Sequence, residues 1–169
     1  SGRKSITVET LCGAIEEVRA YGEGFDVDIV FVDYVQRIAA EKGMENPVMA
    51  YTGILDALKN MALGFGVPVV AGVQAKREVD DLNPPIPDQQ HGQWTSNIEQ
   101  SSDRIISLVR PRRYVQEGEM FGSRRIMGHQ DLLTTVSKQK LGEANFSEWL
   151  KFNPIYNRLE KGVKIKSIF

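Results

Sequence analysis

Two polar side chains stand at the ends of apolar, β-branched runs. Asp33 closes Asp28-Ile29-Val30-Phe31-Val32, and Gln74 closes Val67–Val73. Magnesium takes one or two protein carboxylates and leaves its remaining octahedral positions to water and phosphate. A carboxylate at a strand's carboxyl end is rigid, and ligands of open α/β sheets bind outside those ends. Asp33 therefore reads as a magnesium ligand, against the plainer reading of an aspartate capping the next turn. An amide at Gln74 can hydrogen-bond a terminal phosphate oxygen or orient an attacking water. Its plainer reading is a polar residue leaving a strand.

These two residues need a frame that brings both strand ends to one edge, and the pattern supplies it. Val8, Leu11, Cys12, Ile15 and Val18 have helical spacing, with Thr7 as N-cap and Gly22 and Gly24 as terminators. Residues 27–32 read as a buried strand of a parallel sheet. A helix is predicted over 47–64, with Asn46-Pro47 at its start, Ile54, Leu58, Met61, Ala62 and Phe65 on one face, and Gly64 and Gly66 at its end. Val67–Val73 is a second buried strand. Strand, helix and strand make a right-handed βαβ unit, whose parallel strands end at the same edge.

Further along, residues 78–95 are polar and proline-rich and read as a mobile surface loop. A short helix is expected near Ile98–Ser102 and a strand over Ile105–Val109. Residues 110–130, with Arg110, Arg112, Arg113, Arg124 and Arg125, read as a second exposed excursion. Leu132–Lys138 and Phe146–Phe152 form a hairpin around Gly142-Glu143-Ala144-Asn145.

Composition narrows the function class. The 169 residues are 41% hydrophobic and 25% charged, as in an ordinary globular chain. One cysteine, Cys12, excludes a disulfide framework and a cysteine zinc site, and reads as a core thiol. His91 and His129 lack the neighbours of a metal site. There is no membrane-length apolar run and no signal peptide, so a cytoplasmic setting is the expectation. The net charge of −1 conceals polarity: residues 1–103 carry 8 basic and 16 acidic side chains, residues 104–169 carry 13 and 6. Such asymmetry suits an anionic partner or a neighbouring subunit.

Five segments, in order, carry a resemblance. Val30-Phe31-Val32-Asp33-Tyr34-Val35-Gln36 resembles the Walker B segment of DnaB-type replicative helicases, and Gly66–Gln74 followed by Lys76-Arg77 is similar to that family's next strand. Ser96-Asn97-Ile98-Glu99-Gln100-Ser101-Ser102-Asp103 resembles its Ser-x-Ile-Glu-Gln-x-Ala-Asp segment. Lys138-Gln139-Lys140-x-Gly142 resembles its Lys-Gln-Arg-x-Gly turn, and Phe152-Asn153-Pro154 its final strand and turn.

The resemblance implies an α/β fold: a RecA-like P-loop NTPase core, mostly parallel, with a C-terminal β-hairpin, of which the whole chain is the C-terminal part. It implies ATP and Mg2+ as cofactors, a homo-hexameric ring, single-stranded DNA as the track, other replication proteins as partners, and a bacterial or phage-infected cell. By the same carry-over Asp33 holds magnesium and Gln74 senses the γ-phosphate. Lys138 and Lys140 reach a neighbour's nucleotide, and Lys76, Arg77 and Trp94 contact DNA beside a channel loop.

The chain departs from that pattern. Lysine replaces arginine at position 140 and loses the bidentate fork. Ser101-Ser102 departs from the family pattern, and Glu78, Asp80 and Asp81 make the start of the channel loop acidic. No Gly-x-x-x-x-Gly-Lys-Ser/Thr occurs in the 169 residues, and Gly2-Arg3-Lys4-Ser5 is only a near miss. The phosphate loop and the family's catalytic glutamate are expected before residue 1, which leaves these residues alone with little nucleotide affinity. Two rival readings are a non-catalytic RecA-like oligomerisation module and another RecA-like ATPase, such as a recombinase or a clock-type kinase.

Overall fold

The computed structural model describes residues 5–40, 46–75, 77–82, 85–87, 95–128, 130–153, 155–160 and 164–165. The chain divides into two compact units, residues 1–74 with 93–101, and residues 75–92 with 102–169.

In the first unit, α1 (Val8–Tyr21) starts at a reciprocal cap. Thr10 N–H donates to the Thr7 hydroxyl at 3.2 Å, and Thr7 N–H donates to the Thr10 hydroxyl at 3.4 Å. Val8 and Ile15 are its buried residues. Cys12 is half-buried and Val18 exposed, so the apolar stripe is narrower than the spacing suggests. The helix α2 (Pro47–Phe65) begins where Asn46 Oδ1 accepts from Val48 N–H at 2.9 Å, with proline at the first position. It ends at Gly66, whose φ of 67° is the left-handed cap that glycine adopts without a Cβ penalty.

The buried face of α2 is Tyr51, Ile54, Leu55, Leu58 and Met61. The short α3 (Thr95–Ser101) packs against it, with Ser101 Oγ donating to Asp56 at 3.2 Å and the Asn97 amide to the Thr52 hydroxyl. Arg19 ties α1 to Asp26 and to the end of α2. Its Nε donates to Asp26 at 2.7 Å, and its guanidinium also donates to the Phe65 carbonyl at 3.0 Å, at the negative end of α2. The Arg19 hydrogen bond, with one from Val27 N–H, holds the Asp26 carboxyl below the usual range.

Strands β1 (Val30–Val32) and β2 (Val69–Ala71) pair in parallel, in the register Val30↔Val69, Phe31↔Val70 and Val32↔Ala71. Strand, helix and parallel strand occur in the order that the sequence predicts. The strands are shorter than 27–32 and 67–73, and they are not buried on both faces. Phe31 is 70% exposed and its partner Val70 49%. Helix α2 packs against β2, and the alternating pleat turns Phe31 and Val70 the other way.

The second unit is an antiparallel sheet in the order β3 (Arg104–Val109), β6 (Asp131–Gln139), β7 (Phe146–Asn153) and β8 (Arg158–Glu160), with β9 (Lys164–Ile165) also beside β7. The expected hairpin is the β6–β7 pair, from Asp131↔Lys151 to Val136↔Phe146.

Residues 110–130 do not form the exposed excursion that their arginines suggest. Pro111–Arg113 is a 3-10 turn, and β4 (Met120–Phe121) pairs with β5 (Arg124–Arg125). Phe121 and Ile126 sit in the core with Val109, Leu133 and Trp149, and Phe121 meets Trp149 edge-on at 6.4 Å. The arginines hold this arrangement from outside. Arg124 lies 4.8 Å over the Trp149 ring and 3.5 Å from buried Asp131, whose other oxygen accepts from Met127 N–H at 2.9 Å.

The predicted loop 78–95 is likewise partly built. Arg77–Asp81 is a 3-10 turn, Pro85 is buried, and Ile86 packs on the core. Asp80 accepts from the Tyr114 hydroxyl at 2.8 Å and pairs with Arg113 at 3.5 Å. Among the described residues, no helix is long and apolar enough to cross a membrane.

Candidate nucleotide site

Asp33 follows β1 directly, and its side chain is exposed. The chain then makes a 3-10 turn, Val35–Arg37, anchored by fully buried Val35. The Asp33–Tyr34 peptide bond is cis. Strand β2 is tied around this point by its outgoing residue. Gly72 N–H donates to the Val32 carbonyl at 2.9 Å, and Val35 N–H donates to the Gly72 carbonyl at 3.0 Å. The two strand ends thus lie side by side at one edge, which parallel register requires and an antiparallel pair would forbid. Gln74 is not the last residue of its strand. It stands after Gly72 and Val73, exposed, on the same outgoing segment.

Asp33 and Gln74 belong to the first unit; Arg77, Lys138 and Lys140 belong to the second. Arg77 opens the 3-10 turn Arg77–Asp81. Lys138 is half-buried near the end of β6, opposite Ile105 of β3. Lys140 is exposed just past β6. Its Nζ lies 2.7 Å from Asp103 Oδ1, and its backbone N–H donates to the Asp103 carbonyl at 2.9 Å. Lys76, Trp94, His91 and His129 lie outside the described residues.

Among the described residues, no cluster of three or more His, Cys, Asp or Glu side chains is arranged to hold a metal. A single exposed carboxylate at a strand end is nonetheless the donor set that magnesium accepts when phosphates and waters supply the rest. Sequence reasoning missed two neighbours of the candidate residues: Gly72, the small residue against Asp33, and Asp103, the partner of Lys140. Gly72 carries a signal, a glycine between an apolar strand and a polar exit residue. Asp103 closes the segment Ser96–Asp103, but nothing there announces its partner, which lies just past β6, beyond the whole 110–130 segment.

The family model described as the DnaB-like helicase C terminal domain matches residues 3–161. The chain belongs to that family. A probable plasmid replicative DNA helicase of Chlamydia psittaci is 31% identical over 150 residues, which cover 89% of this chain and 30% of that protein. The replicative DNA helicase DnaB of Rickettsia felis is 28% identical over 136 residues, covering 78% of this chain and 23% of the relative. The chain thus spans less than a third of the length of either.

Solved structures agree on the fold. A DnaB-like replicative helicase, described with its interactions with primase, superposes with a TM-score of 0.78 at 21% identity, over 94% of this chain and 36% of that one. A solved ATPase domain gives 0.76 at 20% identity, over 92% and 51%. The RecA-like ATPase core of this DnaB-like family is therefore the fold of the chain, as the motifs imply.

Proposed function

We propose that this chain is the magnesium-binding and phosphate-sensing part of a replicative DNA helicase motor, which couples ATP hydrolysis to movement along single-stranded DNA and to duplex unwinding. The observation that carries the reading is the parallel β1–β2 pair. It brings Asp33 and the segment leading to Gln74 to one edge, and both residues stand in motifs of the family to which the chain belongs.

In this reading Asp33 would hold a magnesium ion together with the nucleotide, and that ion would supply charge neutralisation for phosphoryl transfer. Gln74 donates its amide to the γ-phosphate or to the attacking water. Its exposed segment continues into Lys76 and Arg77 and then the 78–95 stretch, so loss of the phosphate changes the restraint on that stretch. Lys76, Arg77 and Trp94 bind the phosphate backbone and stack on bases, which requires no base readout. The engagement of Asp80 by Tyr114 and Arg113 reduces the negative charge at the start of this stretch.

Lys138 and Lys140 act across a subunit boundary of a homo-hexamer, where a cation stabilises transition-state charge and makes hydrolysis depend on the neighbour. Both units belong to one ATPase domain, the setting is the cytoplasm, and primase-type replication proteins are partners, as the name of the solved relative suggests.

The test is calorimetric titration with magnesium and a non-hydrolysable ATP analogue, on these 169 residues and on the full product of the reading frame that encodes them. The 169 residues contain no phosphate-binding loop, so binding is expected only for the full product. Binding by neither transfers the assignment to a non-catalytic RecA-like module.

A further inference from the structure

At the end of β6 and just past it the chain carries two candidate catalytic lysines, where the regular sheet is interrupted. Pairing of β6 with β7 stops at Val136↔Phe146. On the other side, β3 pairs Ile106 with Val136 and Ile105 with Lys138, so Ser137 is an extra residue bulged out of the ladder. A bulge bends its strand and re-aims the side chains that follow. Here those residues are Lys138 and Gln139, which pair with β3, and Lys140 just beyond them.

The turn beyond is fixed by its own contacts. The Gln139 side-chain amide donates to the Leu141 carbonyl. Gly142 has a φ of 106°, and a Cβ there would collide with Gln139 Nε2. Asp103, at the entry to β3, closes the arrangement with two contacts to one residue: its carbonyl takes the Lys140 N–H at 2.9 Å and its carboxylate the Lys140 ammonium at 2.7 Å.

We propose that Asp103 is a positioning residue that presents Lys140 to the neighbouring subunit's nucleotide. This rests on the function proposed above. A lysine is a compact charge on a flexible four-carbon stem with three donors, and it lacks the planar fork by which arginine orients itself on phosphate. One donor spent on Asp103 Oδ1 fixes the stem and leaves two for phosphate oxygens. The carboxylate thus supplies the orientation that lysine does not carry in its own geometry. The backbone contact does not depend on the Asp103 side chain, so removing the carboxylate releases the ammonium without unpicking the start of β3.

The experiment is steady-state ATP hydrolysis by the assembled full product, with Asp103→Ala, Lys140→Ala, the double variant and Asp103→Glu, all checked for ring assembly and unchanged melting temperature. Asp103→Ala is expected to lower kcat roughly three- to tenfold with KM unchanged, the signature of an orientation lost in the transition state. In the Lys140→Ala background it should add nothing, since the two act as one unit. Asp103→Glu should recover part of the loss.

An Asp103→Ala effect of equal size in both backgrounds, or an increase in kcat, overturns the proposal while leaving the helicase reading intact. The increase would mean that the carboxylate restrains Lys140. Full hydrolysis by assembled Lys140→Ala rings removes the catalytic role of Lys140 and the positioning role of Asp103 together.

Discussion

Gly72 packs against Asp33, and a Cβ on it would stand 3.9 Å from Asp33 Oδ1 and 3.6 Å from the Val32 carbonyl. Those are ordinary van der Waals separations, so a methyl group fits and a larger side chain has to grow into the space around the carboxylate. Gly72→Ala is expected to fold and to bind magnesium nucleotide in the full product nearly as the parent does. Gly72→Leu is expected to weaken nucleotide binding on the order of tenfold or more, because displacing a ligand by about an ångström disrupts a positioned site. Calorimetry on the two variants decides it; equal affinities would place the metal away from Asp33.

Asp33 itself is exposed at the strand end, so its replacement removes little that holds the fold. Asp33→Ala in the full product should retain its melting temperature within a degree or so, as surface substitutions usually change stability by less than about 0.5 kcal/mol. Hydrolysis should fall by about a hundredfold or more, since metal-held charge stabilisation is worth several kcal/mol. Normal turnover by this variant removes the magnesium assignment.

The parts of this architecture that are legible in the sequence are those decided by local chemistry. Asn46-Pro47 and Gly66 mark the ends of α2 because a side-chain cap, a proline and a left-handed residue each act within a turn of the helix. Thr7 does the same for α1. The parallel β1–β2 pair is readable from two apolar runs with one helix between them. The features that the sequence hides depend on contacts made far away. Residues 110–130 read as surface because arginines and glycines punctuate them, but Phe121 and Ile126 gain burial from Leu133 and Trp149 on other strands. The predicted strand over 27–32 is too long for the converse reason: Ile29 is β-branched, which favours a strand, yet it is exposed and lies outside β1. The ion pair of Lys140 with Asp103 depends on the bulge at Ser137, which no local pattern announces.

The burial of residues within 110–130 can be measured. Phe121 is 2% exposed and contacts both Tyr114 and Trp149. Phe121→Ala should destabilise the second unit by about 3–5 kcal/mol, the usual result of emptying an aromatic core position. Met120→Ala, next to it but exposed, should change stability by less than about 0.5 kcal/mol. Urea unfolding monitored through Trp149 fluorescence in a Trp94→Phe background separates the two, and equal small effects would return the segment to the surface.

The first unit carries its own reporter in Tyr51, which lies on the buried face of α2 and is 5% exposed. Burial disfavours the phenolate, and the hydroxyl is pushed up from 10.0 to about 12. Above pH 10 the unfolded chain releases this proton while the folded chain keeps it, so the unfolded state is favoured progressively. Stability from this group is complete below pH 10 and is lost as pH rises through about 12. A shift of this size corresponds to a loss on the order of 2–3 kcal/mol at the alkaline end. Tyr51→Phe removes the titrating hydroxyl but keeps the ring, so its stability curve should be flatter than the parent's between pH 10 and 12 and should run parallel to it between about pH 7 and 9. Tyr114, raised by burial and by its hydrogen bond to Asp80, titrates in the second unit and remains in both proteins, so it cancels in the comparison. Urea titrations at closely spaced pH values supply the curves. Identical alkaline slopes for parent and variant would mean that the Tyr51 hydroxyl reaches water in the folded chain, and that α2 is packed less tightly than its buried face indicates.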